Sequence, residues 1–145
     1  MNTRGCIAGF VLLLAIVGVA FAGLWYAIHQ TSTIVRDAYA SDWTTDFLLN
    51  HLRANDNQWP KSWEDLRDEH ASRYPSSCPF TFKEIQDRVE LRFDIDAATI
   101  ANSEPPVEFF QLKSGTGASF GGDPNELVKD YLEEQRRRHA IEDKH

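Results

Sequence analysis

From Cys6 to Ile28 the chain runs 23 residues without a charge or a strong hydrogen-bonding side chain. As a helix at about 1.5 Å per residue this run spans roughly 34 Å, enough for the ~30 Å hydrocarbon core of a bilayer. The pattern predicts a transmembrane anchor over residues 1–29. Ala20-Phe21-Ala22 matches the small-x-small pattern of signal cleavage, but Leu24 to Ile28 continue the apolar run beyond it, which favours a retained anchor. Trp25 and Tyr26 stand where an aromatic belt meets headgroups. Arg4 and the terminal amine precede the run, and Arg36 is the next basic residue after His29, which places the N-terminus in the cytoplasm and the rest outside it.

Beyond polar Gln30 to Thr33, a helical period takes over. Val35, Tyr39, Trp43, Phe47, Leu48 and Leu52 recur on one face, with Asp37, Asp42, Asp46 and Arg53 on others. With no proline before Pro60, the first helix is expected to continue to about Arg53, the Thr/Ser stretch being the place for a bend. Ser62 reads as the N-cap of a short helix to about His70, and residues 80–87 as a helical turn or a short strand. Val89, Leu91, Phe93 and Ile95 then alternate with Glu90, Arg92, Asp94 and Asp96, the period of a half-buried strand. A second strand, Val107 to Lys113, is expected to pair antiparallel with it, with Arg92 opposite Glu108. Asp123-Pro124-x-Glu126 opens a last helix with apolar Leu127, Val128, Tyr131 and Leu132. The pattern thus predicts an α+β fold: a transmembrane helix continuing into an amphipathic one, a small antiparallel sheet and a C-terminal helix. Residues 30–139 form the extracytoplasmic domain and 140–145 a frayed tail.

Charge narrows the function. All 22 acidic residues lie at or after Asp37, so the part beyond residue 30 carries about -8. Such a domain repels phosphate backbones, which argues against nucleic-acid binding. The 2 cysteines allow neither a disulfide scaffold nor a zinc ribbon. Cys6 reads as a small apolar residue at the membrane edge, and Cys78 as either buried or available for a disulfide between chains.

Candidate chemistry is sparse. The glycine-rich run from Gly115 to Gly122 precedes a helix, but its spacing is not that of a phosphate loop and Asp123 stands where an anion would sit. It reads as a flexible surface connection. His51, His70, His139 and His145 show no paired spacing, and Asp94-Ile95-Asp96 lacks the further oxygens of a calcium loop. Arg136-Arg137-Arg138 reads as a solvated helix end. No catalytic, cofactor or metal residue is assigned, and no enzyme is expected. Ala8, Ala15, Gly18 and Ala22 form a stripe of small residues that lets a second helix approach, for a protein partner or for self-association, while the rest of the segment meets membrane lipid.

Asn57-Gln58-Trp59-Pro60-Lys61-Ser62-Trp63-Glu64-Asp65-Leu66, after a basic residue, a glycine and a long apolar helix, resembles the step after the N-terminal helix of type IV pilins and type II secretion pseudopilins. The resemblance covers residues 4–66. It implies a pilin-like architecture, processed at Arg4-Gly5. Cys6 stands where Phe or Met is usual and Phe10 where the family has a subunit-aligning glutamate, so no functional residue is carried over. The resulting expectation is a membrane-anchored, non-catalytic interaction or assembly protein. The alternatives are a pilin-like subunit and a tethered hydrolase using Asp94, Asp96 or His70.

Overall fold

The computed structural model describes residues 3–142, and in its first helix the side chains of residues 3–12 and 14 lie outside the described residues. The element order is α1 (Thr3–Ala54), a 3-10 turn (Trp63–Leu66), α2 (Arg67–Arg73), α3 (Phe82–Arg88), β1 (Val89–Leu91), α4 (Ala97–Asn102), β2 (Phe110–Leu112) and α5 (Pro124–Glu142). The described chain is therefore mostly helical, with one two-stranded antiparallel sheet. It divides into two compact units, residues 1–35 and residues 36–145.

In the first unit the helix is unbroken where a bend was expected. Thr31 and Thr33 donate their hydroxyls back to the carbonyls of Ala27 and His29, at 2.9 and 3.1 Å. The described large apolar side chains stand in the open, from Val35 at 40% to Trp25 at 76% exposed. Among the described residues no helix is long and apolar enough to cross a membrane. This corrects the expected transmembrane helix. The single-pass, signal-anchor and membrane assignments, with the inside-to-outside orientation built on them, are corrected with it. Arg4, Gly5, Cys6, Ala8 and Phe10 belong to the side chains outside the described residues.

The second unit has its own core. Phe47, Leu48 and Leu52 of α1 join Leu66, Ile85, Val89, Leu91, Ile100, Phe109, Leu112, Val128 and Leu132, all from residues 40–132. Trp59 closes one end, its ring edge-on to Phe109 at 5.0 Å and its indole N–H donating to the Arg92 carbonyl at 3.0 Å. The α1 helix ends at a turn in which Asp56 and Asn57 take positive φ (51° and 61°), a conformation that short polar side chains tolerate. Ser62 caps the 3-10 turn by accepting from the Glu64 N–H. Residues 80–87 resolve into helix α3, opened by a capping box between Thr81 and Glu84.

The expected apolar face of α1 is buried toward its C-terminal end, at Phe47, Leu48 and Leu52, but not at its start. Ala40, Ser41 and Thr44 are buried, whereas Val35 and Tyr39 are 40% and 45% exposed. Small residues turned inward let the loops come close to the helix backbone, which large ones would hold off. The sheet is also shorter than its pattern. Strand β1 stops at Leu91, because Asp96 leaves the ladder to cap α4 through the Thr99 N–H at 2.6 Å. The register pairs Val89 with Leu112 and Leu91 with Phe110, which sets Arg92 opposite Phe109. Arg92 therefore turns to Asp94 at 3.3 Å, and the expected Arg92–Glu108 pair does not form.

Candidate functional site

Polar residues on the inward face of α1 hold the loops that make the site. Thr44 and Thr45 satisfy their hydroxyls on the carbonyls of Ala40 and Ser41, at 2.7 and 2.9 Å. Asp37, 2% exposed, accepts from the Arg88 guanidinium at 2.6 Å and from the Thr116 hydroxyl at 3.4 Å. Asp42 gathers a neighbouring stretch: its Oδ1 accepts from Ser119 Oγ at 2.8 Å and from the N–H groups of Phe120 and Gly121 at 3.2 and 3.3 Å. Convergent donors of this kind normally hold an anion. Here the anion is the chain's own carboxylate. The glycine-rich loop is thereby a fixed strap across α1 and not the flexible connection its composition suggests. Gly122 (φ +114°) makes the turn into α5, where a side chain would be strained.

Between the strap, the outer edge of β2 and the start of α5 lies a cleft of about 410 Å³. Asn125 seals part of the strand edge. Its side-chain Oδ1 accepts from the N–H groups of Phe109 and Phe110 (2.9 and 3.0 Å), and its Nδ2 donates to the Phe110 carbonyl at 3.1 Å. Ser41 contributes to the cleft from α1. It is 1% exposed, and its hydroxyl has no hydrogen-bond partner among the described residues. Glu108 and Asp123 supply carboxylates to the lining, and no Lys, Arg or His lines it.

The residues considered for catalysis are not brought into this cleft. Asp94 is bonded to Arg92, whose guanidinium holds its carboxyl below the usual range. Asp96 caps α4, and the Thr99 backbone N–H lowers its pKa in the same way. His70 is buried, with Nε2 2.8 Å from the Phe80 carbonyl; since a carbonyl only accepts, Nε2 carries the proton. Its ring stacks on Tyr74 at 5.1 Å and meets the edge of Phe47 at 5.8 Å. Each of the three has a structural task. Cys78 is fully buried, and burial pushes its thiol pKa up, so the buried alternative is the one seen. In the basic run Arg136 bonds Asn102, Arg137 bonds Glu133, and Arg138 bonds Glu134.

Among the described residues no group of three or more His, Cys, Asp or Glu side chains could hold a metal ion. Of the small-residue stripe, Ala15, Gly18 and Ala22 are exposed, and a side chain built on Gly18 would meet nothing within 4 Å. Sequence reasoning missed Ser41, Asp37 and Asp42 as the residues that shape the cleft. Polar residues on an amphipathic helix read as solvated, and only their contacts with residues 77–79 positions downstream show otherwise. Comparison with protein families, with curated proteins and with solved structures finds no match.

Proposed function

We propose that this chain is a non-catalytic assembly component, and that copies of it associate through the apolar helical segment before Val35. One observation carries this proposal. From Leu13 to Ile28 the described helix displays Leu13, Ile16, Val17, Val19, Phe21, Leu24, Trp25, Tyr26 and Ile28, each 44–76% exposed. Contiguous apolar surface on that scale marks an interaction site, since each large side chain left in water forgoes about 1.5–3 kcal/mol. The acidic unit of residues 36–145 is the less suitable contact, because copies of like charge repel. A pilin-like subunit is one specific form of this proposal, supported by the resemblance over residues 57–66.

Association is tested by cross-linking and sedimentation of the full chain beside residues 36–145, which contain the whole core cluster. A third sample replaces Gly18 and Ala22 with Leu, closing the groove that exposed small residues leave. The full chain is expected to form oligomers, the double variant fewer, and residues 36–145 none. A monomeric full chain, or a 36–145 unit that oligomerises by itself, refutes the proposal.

A further inference from the structure

We infer that the apolar segment Leu13–Ile28 of one copy lies in a groove on the 36–145 unit of a second copy; this rests on the association proposed above and names the surface that receives it. The groove, about 390 Å³, is lined by Tyr39, Trp43 and Leu49 of α1, with Gly121 of the strap and Leu127 of α5. From Tyr39 to Leu49 its α1 lining covers about 15 Å along the helix axis, room for about ten residues of an added helix. Apolar side chains concentrate there. Of the five exposed large apolar residues described in this unit, Tyr39 and Leu127 line the groove, and Phe120 meets the Tyr39 ring edge-on at 5.2 Å. Asp42 already holds the Phe120 and Gly121 N–H groups at 3.2 and 3.3 Å, so docking does not have to order the strap.

The chemistry of the groove selects the occupant. Its two carboxylates are already engaged, Asp42 by the strap and Asp46 by Arg73 at 3.3 Å, and the Asp46 side chain is 53% exposed. An apolar helix therefore strands neither charge, whereas a basic one would compete with donors already in place. The segment Leu13–Ile28 is uncharged, so the mutual repulsion of the acidic units does not act on it. Its polar side-chain groups, the Trp25 indole N–H and the Tyr26 hydroxyl, can donate, which suits a lining whose charged groups are carboxylates. It is helical and exposes Leu13, Ile16, Val17, Leu24 and Ile28 along one face, the i, i+3, i+4 spacing with which a helix fills such a groove. Among the described residues no other stretch leaves so many large apolar side chains exposed.

The test maps the contact between copies of the full chain. One copy carries benzoylphenylalanine in place of Val19 or of Phe21, two positions about 200° apart around the helix, and the other is labelled with heavy nitrogen. After photolysis, mass spectrometry is expected to show at least one position joined to residues 39–49 or 120–127 of the labelled copy. Tyr39→Glu and Leu127→Glu, at exposed positions, should each cut those cross-links about fivefold, since they set a charge against apolar side chains. Ile141→Glu, exposed outside the groove, should leave them unchanged, with circular dichroism confirming that the variants fold. Should a glutamate variant fail to fold, the cross-link map of the parent chain decides alone. Cross-links that reach residues 13–28 or any other surface of the second copy, but not the groove, overturn the inference and leave the association standing. Groove cross-links that survive both glutamates overturn it as well, and a monomeric full chain overturns inference and association together.

Discussion

Replacing Arg88 with Met removes the guanidinium facing Asp37 while keeping most of the apolar stem. The ion pair is 2.6 Å long, the Asp37 side chain is 3% exposed and that of Arg88 24%. At an effective dielectric near 20, the attraction at that distance is about 6 kcal/mol before desolvation is charged against it. Most of that is offset by the cost of drying the two ions, so the pair itself adds little net stability. Removing one partner is another matter, because the surviving carboxylate stays dry. Breaking a buried pair costs about 3–5 kcal/mol, and the partial exposure of Arg88 with the remaining Thr116 bond (3.4 Å) reduces the expectation to about 2–4 kcal/mol. Asp37→Asn in the same background removes the stranded charge, and the double variant should return to within ~1.5 kcal/mol of the parent. Urea unfolding of residues 36–145 at pH 7 measures all four corners of the cycle. For a unit of this size the single variant should lower the melting temperature by roughly 8–16 °C. A loss below ~0.5 kcal/mol for Arg88→Met would refute the reasoning, since it would show that water screens the pair as it does at a surface.

Packing and titration make two more predictions. Phe109, 1% exposed, should cost about 3–5 kcal/mol on replacement by Ala, whereas half-buried Phe93, beyond the end of β1, should cost less than half as much; equal denaturation midpoints would contradict the observed strand end. The Thr81 backbone and side chain hold the Glu84 carboxyl below its ordinary pKa, so this contribution to stability is present above the unfolded pKa and is lost as pH falls through the folded one. Thr81→Ala keeps the backbone N–H and removes the hydroxyl, so it should raise the Glu84 midpoint in an NMR titration, and an unchanged midpoint would reject the hydroxyl as a contributor.

Local signals in the chain were legible where chemistry and geometry act over a few residues. Ser62 as a cap, the turn at residues 55–57 and the start of α5 after Asp123 all follow from turn and cap residues that work within one helical turn. Thr81 with Glu84 and Asp96 cap α3 and α4, but residues 80–87 read either as a helical turn or as a strand, and the strict alternation from Val89 to Asp96 favoured a longer strand. Periodicity shows which residues could share a face, not where the ladder stops. The burial of Ala40, Ser41 and Thr44 on α1 was hidden for a different reason. Tyr39 and Trp43 outweigh Ala40, Ser41 and Thr44 in hydrophobicity, yet the partners approaching that helix need small residues and fixed acceptors. The cleft joins α1 to a strap far along the chain, and no short motif encodes that meeting.

The anchoring of the strap has a kinematic consequence. Thr116 is tied to Asp37, and Ser119 through Gly121 are tied to Asp42, so Gly117 and Ala118 alone lie between the two moorings. Closing a short segment between fixed points costs little extra when residues are added, because the entropy grows only with the logarithm of length. Added residues at Gly117–Ala118 would bulge outward and leave both moorings in place, whereas a deletion there would pull one of them from α1. Length variation in this irregular segment is thus permitted in one direction, and a longer strap would reshape the mouth of the cleft without disturbing the core beneath it.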